Sequence, residues 1–211
     1  MEIIDKTIQV ENKPSITYTH YQSGSDKMCF MFSGTGYTYD SPALYYATLL
    51  LLEKKYDIIQ IHYSSIDDLL RLPLEEIPEL IFQMVNPVIE EVTSNHQYSE
   101  YVFIGKSIGT MPIVLEYMNQ ERFNDSKWII LTPSLKIDRM AYSLLNSKQI
   151  AYIAIGDADP HFNFAAIEKL KQKQFQLDIF PKANHSLNID GNVSASIKVI
   201  ERILNKIDEL L

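Results

Sequence analysis

Short runs of β-forming residues alternate along the chain with longer stretches whose apolar positions recur every three or four residues. That alternation predicts a largely parallel sheet covered by helices on both faces. The opening differs. Ile3 to Val10 and Ile16 to Tyr21 alternate apolar and polar side chains, with only the turn-forming Asn12, Lys13 and Pro14 between them, which predicts an antiparallel pair. The continuous apolar run Met28 to Phe32 predicts a central strand that leaves the sheet through Ser33, Gly34, Thr35 and Gly36. A helix from about Pro42 to Tyr56, a strand from Asp57 to Tyr63 and a helix from Leu74 to about Asn95 follow, the last with Pro78 near its start and Pro87 expected to kink it.

Tyr101 to Ile104 is a short apolar strand running directly into Gly105. A helix from Ser107 to about Met118, a strand from Lys127 to Thr132, a helix around Asp138 to Asn146 and a strand from Ile150 to Ile155 come next. The last β-α pair is Phe175 to Phe180 and Asn192 to Leu211. In that final helix Val193, Ile197, Ile200, Leu204, Ile207 and Leu211 stand at spacings of three and four, predicting one apolar stripe against the sheet. The expected whole is a three-layer α/β/α sandwich of about eight strands and six helices in a single domain over 1–211, its sheet mostly parallel. The connection between Leu131 and Ile150 is too short for an inserted cap domain.

Composition narrows the function classes. The 211 residues are 46% apolar and 22% charged, average for a globular domain. The longest apolar stretch, Ala47 to Leu52, falls far short of the ~20 residues of a membrane span. Met1 to Glu11 lacks the basic start and apolar middle of a secretory signal, so a cytoplasmic location and no membrane partner are expected. The single cysteine, Cys29, lies in an apolar run and reads as a small buried hydrophobe rather than a nucleophile. A net charge of -8 disfavours nucleic acid, and Lys169, Lys171 and Lys173 read as the solvated face of a helix.

Gly105, Lys106, Ser107, Ile108 and Gly109 form a Gly-x-Ser-x-Gly pentapeptide where an apolar strand ends and a helix begins. A turn this sharp strains the serine backbone, and the glycines leave room for neighbouring strand and helix. Ser107 could instead be a simple helix N-cap. A serine hydroxyl is a weak nucleophile at neutral pH, so the chemical reading needs a base and an orienting acid further along. Both types are present in the order Ser, Asp, His, each just past the carboxyl end of a predicted strand. Asp157 and Asp159 follow Ile155, and His185 follows Phe180. Among the other histidines, His20, His62, His96 and His161, only His161 competes, and it follows Asp159 too closely to bridge it to a serine on another loop.

On the pentapeptide, the segment Gly156 to Asp159 and the Ala-Asn-His-Ser of 183 to 186, the chain resembles the α/β-hydrolase family, specifically its small members without a cap. The resemblance spans nearly the whole length and implies the α/β-hydrolase fold. In similar proteins the acid commonly stands three residues after the glycine, which selects Asp159 and leaves Asp157 as a turn carboxylate. The resemblance also implies an oxyanion hole from the backbone amides of Thr35 and Ile108. Ser33 to Gly36 is similar to the family's His-Gly-x-Gly loop with serine in the leading position, which leaves open how this loop is braced.

A dinucleotide site lacks its third glycine, since Tyr39 stands there, and neither paired histidines at helical spacing nor a Cys-x-x-Cys suggests a metal, so neither cofactor nor metal is expected. Gly36, Tyr37, Tyr39, His62, Tyr63, Met111 and Pro133 near the strand ends are the candidate substrate contacts, favouring a neutral small-molecule acyl substrate of modest size. Lys106 is expected to be solvated rather than to anchor a substrate. The expectation is hydrolysis of a carboxylic ester or thioester through an acyl-enzyme. An amide or peptide hydrolase with the same residues, or a non-catalytic binding protein on a hydrolase fold, are the alternatives.

Overall fold

The computed structural model describes residues 1–9, 15–63, 72–73 and 75–211. Val10, the Asn12, Lys13, Pro14 turn and Leu74 lie outside the described residues. Eight strands form one sheet in the order β1-β2-β4-β3-β5-β6-β7-β8. β1 (Glu2–Ile8) pairs antiparallel with β2 (Ile16–Gln22), and β2 antiparallel with β4 (Asp57–His62). From β4 onward every pairing is parallel, through β3 (Lys27–Phe32), β5 (Glu100–Lys106), β6 (Lys127–Leu131), β7 (Ala151–Gly156) and β8 (Gln176–Phe180).

The chain steps outward from β3 to β4 and then crosses back to β5 on the other side of β3. Strand order therefore reverses at the β3/β5 boundary, and in open α/β sheets the crevice at the carboxyl ends of such strands is where ligands bind. The register there aligns Phe32 with Gly105, which brings the loop that starts at Ser33 beside the pentapeptide.

Period-two alternation assigns each strand residue to one of two cores. Cys29 and Met31 of β3, with Val102 and Ile104 of β5, face α1 (Pro42–Glu53) and α6 (Val193–Leu210). Met28, Phe30, Phe32 and Phe103 face the other layer, which comprises α2 (Ile77–Asn95), α3 (Thr110–Leu115), α4 (Asp138–Asn146) and α5 (Phe164–Leu170). Cys29 is fully buried and burial pushes its thiol pKa up, the behaviour of a packed hydrophobe. Lys169, Lys171 and Lys173 are exposed at the end of α5 and in the turn after it. Pro87 lies inside α2, which continues past it to Asn95. Among the described residues, no helix is long and apolar enough to cross a membrane.

Two elements differ from the periodic reading. The single helix expected from Ser107 to Met118 is broken into a 3-10 turn over Ser107–Gly109, α3 and further 3-10 turns at Tyr117–Asn119 and Glu121–Phe123. The break is stabilised by ring packing, because it turns Tyr117 and Phe123 onto Phe103, at centroid distances of 5.6 and 4.9 Å, in a cluster that also holds Trp128. In α6 the buried face is Val199, Ile200, Ile203 and Ile207, whereas Val193 and Ile197 are 76% and 62% exposed. Periodicity fixes which residues share a helix face but not how much of that face reaches the sheet.

That difference is measurable. Ile203→Ala should cost about 2–5 kcal/mol in denaturant unfolding, the cost of an unfilled core site, while Ile197→Ser should change stability by no more than about 0.5 kcal/mol.

Candidate active site

Ser107 has φ 57, the left-handed region that an L-residue occupies only under constraint. The constraint is the immediate passage from β5 into the 3-10 turn, fastened by Thr110 Oγ1 donating to the Ser107 carbonyl at 2.6 Å. Gly109 makes the turn possible, since a Cβ there would lie 2.4 Å from the Phe32 carbonyl oxygen and 2.6 Å from that of Ser33. The serine side chain is thereby projected at the carboxyl edge of the sheet, next to the loop after β3.

Three strand ends meet at this hydroxyl. His185 Nε2 lies 2.7 Å from Ser107 Oγ, and His185 Nδ1 lies 2.7 Å from Asp159 Oδ2. Asp159 follows β7 and its side chain is fully buried. Its second oxygen accepts the His161 amide at 2.7 Å. Burial alone would raise the Asp159 pKa, but hydrogen bonds from His185 and the His161 amide, with the charges of both imidazoles, outweigh it and hold the group below the ordinary carboxylate value. An ionised carboxylate only accepts, so His185 carries its proton on Nδ1 and presents Nε2 as the acceptor for the serine O–H.

The loop bearing His185 is closely specified. Gly156 at the end of β7 lets it approach, because a Cβ there would lie 1.9 Å from the Ala183 carbonyl oxygen. Asn184 Oδ1 accepts the amides of Ser186 and Asn188 at 3.0 and 3.1 Å, and Leu187, fully buried, adopts φ 63 to close the turn. Asp157 points elsewhere: its Oδ1 accepts the Lys182 amide at 2.6 Å, and the residue pins the turn that leads out of β8. His161, the sequence rival of His185, uses its amide on Asp159 and packs its ring 4.9 Å from the His185 ring. Burial and the neighbouring His185 lower its pKa against the pull of Asp159.

The loop after β3 has a brace that the motif did not reveal. Tyr39 is buried, with its hydroxyl 2.7 Å from the Met31 carbonyl oxygen and 2.8 Å from that of Ile61. Tyr37 accepts the Ala43 amide on its own hydroxyl at 3.0 Å, while the Gly34 amide donates to its carbonyl at 3.2 Å. These two tyrosines fasten the loop to β3, β4 and the start of α1. Thr35 and Gly36 are left at the rim, half-buried and exposed. Ile108 is the second residue of the 3-10 turn, where backbone N–H groups have no partner within the turn.

Several candidate substrate contacts are occupied otherwise. Met111 is 1% exposed and belongs to the core beneath the elbow, as an apolar side chain on the sheet-facing side of α3 must. His62 shares a 2.8 Å hydrogen bond with Thr19 Oγ1 and meets Tyr39 edge-on, and Tyr63 and Pro133 are buried. Lys106 is not solvated but fully buried. Its Nζ donates to Thr132 Oγ1 at 2.6 Å and to the His185 carbonyl at 2.7 Å, and it stands 4.7 Å from the centre of the Tyr37 ring. The pentapeptide gave no hint of this, because its second position, between Gly105 and Ser107, carries no steric rule.

Among the described residues, Asp159, His161 and His185 are the group of ligating side chains close enough to share a cation. Asp159 Oδ2 and His185 Nδ1 already engage each other, so the site as it stands is a hydrogen-bonded relay.

The stability stored in Asp159 has a definite pH sign. A carboxylate whose folded pKa is depressed stabilises the fold above its unfolded value of about 3.9, and that contribution is lost as pH falls through the folded value. Acid unfolding of the native protein should therefore show a steep fall below about pH 4 that is shallower in Asp159→Asn, read from denaturant midpoints across pH.

No protein-family model and no curated protein matches the chain in sequence. Its fold, however, is shared with many solved structures. An esterase of Pyrococcus furiosus superimposes with a TM-score of 0.74 at 12% identity, covering 100% of this chain and 91% of its own. An α/β serine hydrolase homologue from Coxiella burnetii gives 0.71 at 12% identity, covering 96% of each chain. A serine hydrolase without a lid from Xanthomonas campestris also gives 0.71 at 12% identity, over 100% of this chain and 95% of its own. The chain has the α/β-hydrolase fold in its lidless form.

Proposed function

We propose that this chain is a serine hydrolase that cleaves a carboxylic ester or thioester through an acyl-enzyme on Ser107. The observation that carries the reading is the continuous relay of two 2.7 Å contacts, from Ser107 Oγ through the His185 ring to Asp159, assembled from three separate loops. A hydroxyl used only as a helix cap has no need of an imidazole oriented by a buried carboxylate. The name esterase borne by the Pyrococcus furiosus neighbour points the same way.

In the first half-reaction Ser107 Oγ bonds to the substrate carbonyl carbon while its proton passes to His185 Nε2. The carbonyl oxygen takes up the negative charge facing the Thr35 and Ile108 amides. Collapse breaks the bond to the alcohol or thiol, which leaves with the proton from His185. Water then gives a proton to His185 and its oxygen to the acyl carbon, the bond from that carbon to Ser107 Oγ breaks, and His185 returns the proton to Oγ as the carboxylic acid leaves. Asp159 stays ionised throughout and stabilises the transient imidazolium. The exposed Gly36, next to Thr35, is the natural rim for an acyl chain, and Tyr37 forms the floor of the loop.

The test is labelling by a fluorophosphonate probe together with turnover of p-nitrophenyl esters and thioesters of graded acyl length. The native protein should label at Ser107 and turn over short neutral esters. Ser107→Ala should not label, and Ser107→Ala and His185→Ala should each lose about 10⁶-fold in kcat, and Asp159→Asn about 10⁴-fold, with the fold intact by circular dichroism. Asp157→Asn should retain native turnover. Labelling that survives in Ser107→Ala, or a native protein that reacts with neither probe nor ester, would overturn the reading.

A further inference from the structure

We propose that Lys106 is a positioning residue whose buried ammonium group clamps the nucleophile, oxyanion and histidine loops into one rigid frame, an inference that rests on the reading of Ser107 above. Lys106 immediately precedes the serine in an extended conformation, and its side chain turns under the site rather than out to water. An ammonium has three N–H donors, and three partners surround it. They are the Thr132 hydroxyl at the end of β6, the His185 main-chain carbonyl and the π face of Tyr37. Each partner belongs to a different loop of the site. Tyr37 carries the carbonyl that holds the Gly34 amide, so it fixes the stretch bearing Thr35. Thr132 adopts φ 47 and ties its own amide to Ala154 of β7 at 2.7 Å.

The energetics separate this role from ordinary packing. Removing a charge from water is costly, and a methionine of similar length would fill the same space without that cost. Burial pushes the Lys106 pKa down to about 7, against the pull of the Asp159 carboxylate, so near neutral pH ammonium and amine are both populated, and either form has the two N–H donors that Thr132 and the His185 carbonyl take up. Its surroundings also include His161, His185 and the Tyr37 phenol. What the lysine supplies and methionine cannot is the pair of N–H donors that fix the His185 carbonyl to the strand edge. A main chain free to shift by an ångström at this residue would carry the ring away from Ser107, and displacements of that size cost on the order of a hundredfold in rate.

Lys106→Met tests this directly. It should lower kcat and the rate of fluorophosphonate labelling by about 10–100-fold with KM changed by less than about threefold, while the melting temperature stays level or rises. The native protein should gain stability as pH rises from about 7 toward about 10.5, because the folded lysine releases its proton before the unfolded one, and Lys106→Met should lack that gain. In proton NMR the low-field resonance of the His185 Nδ1–H should shift or broaden in the variant. Lys106→Gln, which keeps N–H donors on a shorter neutral chain, should fall between native and Lys106→Met, and it carries the same comparison if the methionine variant fails to fold. A Lys106→Met protein with kcat/KM within twofold of native would overturn the inference while leaving Ser107 as nucleophile. So would activity lost only in step with a fallen melting temperature and a raised KM. A native protein inert to probe and esters would overturn the reading of Ser107 and this inference with it.

Discussion

The site depends on one ring being held between two oxygens that arrive from different strands. His185 can reach Ser107 and Asp159 together only because backbones come unusually close at the sheet edge, the elbow passing over the carbonyls of Phe32 and Ser33 and the histidine loop lying against Gly156. Steric room at two glycines, rather than any strong attraction, sets the geometry. The attractive interactions then fix the protonation states, since the amide and imidazole donors around Asp159 keep it ionised and its charge selects the Nδ1–H tautomer of His185.

The frame that carries these loops is made costly at the same place. Ser107, Thr132 and Leu187 all hold positive φ, and Lys106 is buried with its ammonium enclosed. Backbone strain and buried charge each reduce stability, and here they meet at the carboxyl ends of β5 and β6 and in the loop after β8, above two cores of apolar side chains. Parallel strands buried on both faces, with the aromatic cluster around Phe103 beneath the elbow, supply the rigid support that such a site requires.

Much of this was legible in the sequence because it rests on local rules. The strands read directly from apolar runs such as Met28 to Phe32 and Tyr101 to Ile104. The approach of Ser107, Asp159 and His185 followed from their positions just past the carboxyl ends of β5, β7 and β8. What escaped were contacts between distant segments that no periodicity encodes. Ser33, where the similar family loop has a histidine, left the loop after β3 without a visible brace, and the brace is the Tyr39 hydroxyl, which bonds across to β3 and β4. Lys106 read as solvated because lysine usually is, and only the convergence of Thr132, His185 and Tyr37 explains its burial. The final helix kept its period but buried Val199 and Ile203 rather than Val193 and Ile197.

The proposed reaction drives negative charge toward the Thr35 and Ile108 amides while His185 stays joined to Asp159. A crystal structure of the protein after reaction with a phosphonate ester tests it most directly, since the tetrahedral phosphorus mimics the acyl intermediate. The account predicts phosphorus bonded to Ser107 Oγ, the phosphoryl oxygen within hydrogen-bond distance of the Thr35 and Ile108 amides, and His185 still joined to Asp159. An adduct on another residue, or a phosphoryl oxygen turned away from those amides with His185 released from Asp159, would contradict it.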